Sequence, residues 1–190
     1  AGIAFGLQYR EERLSQDYDE LSNQDSFTFV IGNPDFEGSL DVWAAFAEMA
    51  LPVSDDLDIQ LALRYEDYGE SVGDTIDPKV ALSWRVNDSF ALRGSWSSSF
   101  RAPTVFLRNG GGTTLQQLSD PVFGGAAAFA AVRTSGNEDL KPEESTAYNI
   151  GFSAEPVDDL SIEVDFWNFD FEDLIIQENA QAILNANPQD

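Results

Sequence analysis

The fold of this chain is decided by residues 145–171, which read STAYNIGFSAEPVDDLSIEVDFWNFDF. Large apolar side chains recur at every second position from Tyr148 to Phe152, and they do so again from Leu160 to Phe166. Side chains alternate across a β-strand with a period of two, so each half predicts a strand with one apolar and one polar face. The Pro and Asp residues of the intervening EPVDD predict a tight turn between the two strands.

The same alternation recurs along the rest of the chain and predicts an all-β fold of antiparallel, up-and-down strands. One run is ambiguous, Leu40–Leu51, because alanine occupies both of its faces and favours a helix. A strand is preferred there, since Pro52 and a polar turn lead directly into another alternating run. We therefore predict about seven strands, at 2–10, 40–51, 57–66, 76–86, 90–97, 146–153 and 160–166.

The connections between the predicted strands fall into two length classes that alternate along the chain. All short turns therefore lie at one end of the sheet and all long loops at the other. This asymmetry is typical of outer-membrane β-barrels, in which turns are short on one side and loops long on the other. The short turns are 52–56, 87–88 and 155–159, and the long loops are 11–38, 67–75 and 100–142.

The distribution of charged and aromatic side chains agrees with a barrel but leaves an alternative open. Aromatic residues lie near both ends of the apolar faces, as in the two girdles of membrane barrels. A soluble sandwich would show the same alternation, with the apolar face as its core. The charged residues on the polar faces are Arg10, Arg64, Glu66, Lys79, Arg85, Arg93, Glu163 and Asp165.

Composition excludes several classes of function. The net charge is −24, from 10 basic and 34 acidic residues, which argues against a nucleic-acid partner. Cysteine and histidine are absent, which removes thiolate ligands, cysteine nucleophiles and the usual general base. We predict no enzyme activity, no cofactor and no metal site. The acidic loop 11–38 could still hold a divalent cation, although it lacks EF-hand spacing and a solvated loop is favoured.

Several motifs, taken in order, resemble the TonB-dependent outer-membrane receptors. Residues 99–103 read SFRAP, and residues 137–143 read NEDLKPE just before the strand STAYNIGF. The segments LRY at 63–65 and DPK at 77–79 are similar to the preceding barrel strands of that family, and VDFW at 164–167 with DLI at 173–175 to the following one. The resemblance covers most of residues 36–180.

The resemblance implies a barrel of about 22 strands in the outer membrane of a Gram-negative bacterium. Receptors of this kind contain an N-terminal plug, work with the TonB complex, and import an iron–siderophore complex, cobalamin or an oligosaccharide. Seven strands cannot close such a barrel, and no plug is recognised. Residues 1–190 are therefore predicted to be an internal part of the barrel domain, with outer-membrane lipid, the TonB complex (through the plug) and a solute ligand as partners.

The candidate ligand-facing residues come from two places. Two arginines lie on polar strand faces, and the others lie in the long connection, whose aromatic and amide groups suit a sugar or an amphipathic chelate. A structural role for Arg101, as a salt bridge between loops, and a long connection without ligand contact are the alternatives. The candidates are Arg64, Arg93, Arg101, Phe106, Asn109, Gln116 and Phe123.

Two other functions remain open at this stage. One is a secreted, acidic β-sandwich that binds carbohydrate, with or without calcium. The other is a porin-like channel without a plug. The first differs from a receptor in whether the apolar strand faces contact lipid or form a packed core, and the second in whether the full-length protein contains a plug.

Overall fold

The alternating runs form strands in a computed structural model, which describes residues 1–24, 26, 32–69, 72–122 and 124–187. The predicted all-β, antiparallel architecture is confirmed, and all seven predicted strands lie in one sheet of order β1-β2-β3-β4-β5-β8-β9. The strands of this sheet are β1 Gly2–Gln16, β2 Phe36–Pro52, β3 Leu57–Asp67, β4 Asp74–Asn87, β5 Phe90–Arg101, β8 Glu143–Val157 and β9 Leu160–Glu172.

The long connection between β5 and β8 contains structure that the sequence did not predict. It holds a helix, α2 (Val105–Asn109), and a separate hairpin of β6 (Gly111–Ser119) and β7 (Ala127–Ser135). The sequence predicted only a long loop over 100–142, and the structure adds this helix and hairpin between the end of β5 and the start of β8. No residue of the hairpin is buried, so neither of its faces needs an alternating apolar pattern. Two more short helices are α1 (Glu20–Asn23) and α3 (Ala180–Ala186).

The predicted boundaries of two other connections also change. β1 continues to Gln16 and β2 begins at Phe36, so the ends of the predicted loop 11–38 are strand. β8 continues to Val157, which leaves Asp158 and Asp159 as the turn, and Asp159 adopts a positive φ of 65°. The added residues of β1, 11–16, are mostly polar and so carry no periodic apolar signal. In β8, the Pro and Asp residues of 155–159 predict a longer turn than the one that forms.

The chain divides into two compact units. The strand unit contains Ala1–Glu11, Asp41–Ala102 and Lys141–Leu174. The loop unit contains Glu12–Leu40, Pro103–Leu140 and Ile175–Asp190.

The register of the strand unit places most of the large apolar side chains on one face of the sheet, called the apolar face here; Phe46 on β2 and the aromatic residues Trp167, Phe169 and Phe171 near the end of β9 lie on the opposite face. These side chains are widely exposed: Ile150 is 62% and Phe166 58% accessible. A sandwich would bury them as its core, so the exposure favours the barrel. One row across this face, strand by strand, is Leu51, Ile59, Leu82, Gly94, Ile150 and Phe166.

The apolar face ends along a diagonal at the long-loop end of the strands. On β9 the first polar residue is Asn168, and its row passes through Tyr148, Trp96 and Val80 to Leu61 on β3. On β3 the first polar residue of this face is Asp67, six residues beyond Leu61. The boundary thus shifts by roughly 20 Å along the strands over four strand spacings of roughly 4.8 Å each. This corresponds to an angle of roughly 45°, the tilt of strands in membrane barrels.

Candidate ligand-binding site

The opposite face of the strand unit, called the charged face here, carries a polar network near the long loops. Arg64 forms an ion pair with Glu66 and donates a hydrogen bond to the Gln8 side chain at 3.0 Å. Arg10 contacts the same Glu66 carboxylate at 3.2 Å and donates to the Tyr68 hydroxyl at 2.8 Å. Glu66 is thus buried between two guanidinium groups, which compensate its charge.

Tyr68 completes this network from the loop that follows β3. Its hydroxyl donates to Glu66, and burial, followed by that carboxylate, raises the pKa of Tyr68 to about 12. The phenol therefore stays neutral, and remains a donor, throughout the physiological range. The network fixes side chains on strands β1 and β3 and in the loop after β3, so it stabilises the strand unit and leaves Arg64 little freedom to contact a ligand.

A second ion pair crosses β8 on the charged face. Arg93 on β5 donates from Nε to the Oδ1 atom of Asp165 on β9 at 2.8 Å, and Gly151 of β8 lies between them in the register. A Cβ atom on Gly151 would lie 2.1 Å from that carboxylate oxygen. The glycine is therefore required for the pair to span the middle strand.

Arg101 lies at the end of β5 and forms an ion pair with Glu143 at the start of β8. The Glu143 side chain is only 6% exposed, whereas that of Arg101 is 71% exposed. This contact agrees with a structural role for Arg101, the alternative to contact with a ligand. Its ion pair links the SFRAP segment to the LKPE segment where β5 and β8 meet.

The loop unit contains a cavity of about 550 Å³ beside helix α2. The backbone around it is packed closely. Gly136 at the end of β7 donates its N–H to the Gly110 carbonyl at 2.6 Å, and a Cβ on Gly136 would lie 2.4 Å from the Arg108 carbonyl oxygen. The lining residues are Pro34, Asp35, Phe36, Glu37, Arg108, Asn109, Gly110, Gly111, Arg133, Thr134, Ser135, Gly136 and Glu138.

Arg108 is the buried cation of this cavity, with 8% of its surface exposed. Its Nη2 atom donates to the Glu138 carbonyl oxygen at 3.0 Å. Its Nε atom is buried and has no hydrogen-bond partner among the residues that the structure describes. Sequence reasoning missed Arg108, because a basic residue in a predicted loop is normally a solvated one.

The structure brings two of the predicted site residues to this part of the loop unit. Asn109 lines the cavity and donates its side-chain amide to the Glu138 carboxylate at 3.0 Å. Phe106 packs edge-on against Phe36 with ring centroids 5.5 Å apart. Gln116 lies on β6 and contacts the Thr114 hydroxyl at 3.2 Å.

Phe123 is the remaining predicted site residue, and it lies outside the described residues. Arg64 and Arg93 belong to the strand unit, each in its own ion pair. The ligand-facing role of all seven candidates stays a prediction.

Neither a metal cluster nor a helical membrane span is found in the described ranges. No three Asp, Glu, His or Cys side chains converge there as metal ligands. The predicted alternative of a cation in the loop 11–38 includes residues 25 and 27–31, which lie outside the description. None of the helices described is long and apolar enough to cross a bilayer.

Comparison with known proteins gives two curated relatives. A 25% identity over 181 residues links the chain to the probable TonB-dependent siderophore receptor PirA of Acinetobacter baumannii, covering 92% of this chain and 23% of that protein. A 25% identity over 188 residues links it to the iron-regulated outer membrane virulence protein of Vibrio cholerae, covering 98% and 25% respectively. The chain thus spans about a quarter of the length of these relatives.

Solved structures share the fold. The siderophore receptor PirA from Acinetobacter baumannii matches with a TM-score of 0.66 and 21% identity, over 90% of this chain and 24% of that one. A mutant of the ferric enterobactin receptor PfeA from Pseudomonas aeruginosa matches with a TM-score of 0.68 and 19% identity, over the same shares of the two chains.

The family model described as "TonB dependent receptor-like, beta-barrel" matches residues 1–188, nearly the whole chain. This is a family of transport receptors of the Gram-negative outer membrane, and both the predicted resemblance and the predicted location are confirmed. The chain belongs to the TonB-dependent receptor β-barrel family.

Proposed function

We propose that this chain forms part of the wall and of the outer loops of a receptor that imports a ferric siderophore across the outer membrane. Energy would come from the TonB complex, acting through the plug that the family resemblance implies. The observation that carries the wall role is the diagonal edge of the apolar face. A sheet in which polarity changes at roughly 45° to the register rows suits tilted strands that cross a flat bilayer.

The two faces of the strand unit support the same role. The apolar face would contact lipid, where a charged side chain near the bilayer centre costs about 2–4 kcal/mol. Aromatic pairs lie where that face ends: Tyr9 packs on Trp43 at 4.7 Å, and Trp96 is the register partner of Tyr148. Such residues favour the membrane–water interface. The charged face, with its ion pairs, would line the lumen.

The relatives favour a siderophore over cobalamin or an oligosaccharide, since one curated relative and several structural neighbours bear siderophore-receptor names. One neighbour was solved with enterobactin. In this chain, the loop-unit cavity and the exposed hairpin β6–β7 supply polar and aromatic groups that suit a chelate of mixed character.

The experiment is uptake of ⁵⁵Fe by cells whose only siderophore receptor is the intact protein that carries this chain. Ferric enterobactin is the first probe. We expect saturable uptake in cells with TonB and loss of uptake in cells without it. Equal uptake in both strains would point to a passive, porin-like channel and contradict the proposal.

A variant of the hairpin tests the ligand-facing role of the long connection. Thr113 and Arg133 are register partners, so an Asn-Gly turn can replace residues 114–132 and close the shortened hairpin. We expect normal insertion, because loop changes affect stability little, and sharply reduced uptake. Unchanged uptake would exclude the hairpin from the binding site and leave the loop 11–38 as the next candidate.

A further inference from the structure

Arg108 occupies an unusual electrostatic position in the loop unit. A guanidinium group with 8% of its surface exposed has lost most of its hydration. Removing a charge from water costs several kcal/mol unless an opposite charge or a full set of hydrogen bonds replaces the water. Here the described residues supply one acceptor, the Glu138 carbonyl oxygen, and leave the buried Nε–H unpaired.

The carboxylates that line the same cavity do not neutralise Arg108. No carboxylate of the described residues lies within ion-pair distance of its guanidinium group. The side chain of Glu138 is directed to the Asn109 amide, and that of Asp35 accepts the backbone N–H of Tyr18. Glu37, like Asp35 and Glu138, is exposed, and water screens exposed charges far more than buried ones.

The cavity is shaped before any ligand binds. Asn137 donates its N–H to the Leu107 carbonyl at 3.0 Å, which ties the end of β7 to helix α2. A Cβ on Gly38 would lie 2.5 Å from the Asn109 side chain, so β2 also approaches the helix at van der Waals limits. Its volume of about 550 Å³ lies within the usual range for small-molecule sites.

We propose that this cavity is a subsite for a carboxylate group of a small organic ligand, with Arg108 as the residue that binds the anion. Arg133, which lines the cavity from its exposed side, would add a second positive charge at the entrance. Arginine suits this task because its N–H donors match the geometry of carboxylate oxygens. The subsite would recognise the organic part of a chelate and not its iron. This proposal rests on the proposed function in one respect: the carboxylate is taken to belong to the imported ligand.

The test is a calorimetric titration of the intact receptor in detergent with iron-free citrate at low ionic strength. Arg108→Gln removes the buried charge and should weaken citrate binding roughly 10- to 100-fold, as expected for a charge-assisted hydrogen bond. Arg85→Gln is the matched control, because Arg85 is an exposed arginine of the strand unit, 3.8 Å from an exposed Asp56. It should leave citrate binding unchanged.

Two further variants keep the test decisive if Arg108→Gln does not fold, which heat-modifiable migration on gels would reveal. Arg108→Lys keeps the positive charge but loses the planar pair of N–H donors that matches a carboxylate. It should bind citrate with an affinity between those of the wild type and Arg108→Gln. Arg133→Gln should weaken binding by a few fold, in keeping with an exposed charge.

Absence of citrate binding to the wild type, or equal affinity for the wild type and Arg108→Gln, would overturn the subsite. If Arg108→Gln does not fold, the subsite would be overturned by Arg108→Lys and Arg133→Gln both binding citrate with the wild-type affinity. The uptake experiment tests the proposed function and not the subsite. If the wild type binds citrate and Arg108→Gln does not, the subsite is supported even where ⁵⁵Fe uptake fails. If uptake depends on TonB but the wild type does not bind citrate, only the subsite is contradicted.

Discussion

The lipid-facing assignment of the apolar face makes a quantitative prediction for Leu82→Arg. Leu82 lies on β4, and its register partners on the neighbouring strands are Ile59 and Gly94. All three belong to the register row that runs from Leu51 to Phe166 on the apolar face. An arginine at this position would have to place its guanidinium in hydrocarbon or extend it toward the headgroups.

The magnitude follows from the position of Leu82 along the strand. The residues of β4 on the apolar face run from Ile76 to Val86, so Leu82 is close to the middle of the band. An arginine near the bilayer midplane of a barrel costs about 2–4 kcal/mol. Ile76 lies six residues away, which is roughly 20 Å along the strand. At a tilt of about 45° this is roughly 14 Å in depth, close to the interface, where the cost falls to about 0–1 kcal/mol.

The assay is guanidinium unfolding of the intact receptor in lipid vesicles, followed by tryptophan fluorescence. Leu82→Arg should lower the free energy of unfolding by about 2–4 kcal/mol, and Ile76→Arg by less than about 1 kcal/mol. Ser83→Arg is the control for the opposite face, since Ser83 is adjacent in sequence and pairs with Asp58 across the charged face. A cost for Ser83→Arg equal to or above that for Leu82→Arg would refute the assignment of the two faces.

Three other outcomes are expected. Arg101→Met should lower the stability of the receptor in the same unfolding assay, because it removes an ionic partner of the buried Glu143; a neutral effect would show that other contacts satisfy this carboxylate. The pKa of Tyr68 is about 12 in the folded state and about 10 in the unfolded state. The neutral phenol therefore contributes stability that is fully present below about pH 10 and is lost as the pH rises through about 12. Stability should therefore fall between about pH 10 and 12, and fall less in Tyr68→Phe; identical pH profiles would contradict this. Expressed without the rest of a barrel, the chain should aggregate or need detergent, because β1 and β9 are open edges beside a wide apolar face; a soluble, cooperatively melting monomer would contradict the wall role.

The sequence by itself determined the strand faces. Alternation with a period of two predicts which residues share a face, because neighbouring Cβ atoms point to opposite sides of a strand. Short turns constrain the register within the hairpins β2–β3, β4–β5 and β8–β9. The registers of β3 with β4 and of β5 with β8, which complete the row from Leu51 to Phe166, come from the structure. The motifs SFRAP and NEDLKPE likewise indicate the class of receptor from the sequence alone.

The sequence could not reveal the hairpin β6–β7 or the true length of β1. Both consist of strand residues none of which is buried, and such strands need no apolar periodicity. The pattern of hydrophobic residues reports burial or contact with lipid, and where neither occurs it carries no signal.

The chemistry of the loop-unit cavity and of the ion pairs could be established only from the tertiary structure. In the sequence, Gly151 is an ordinary position on a polar strand face. Its role is visible only in the structure, where Arg93 and Asp165 lie on either side of it. Arg108 reads as one of a few loop arginines until helix α2 and the end of β7 enclose it. Burial and partnership depend on segments distant in sequence, so the cost of leaving a charge unpaired, which points to a ligand, exists only in the folded chain.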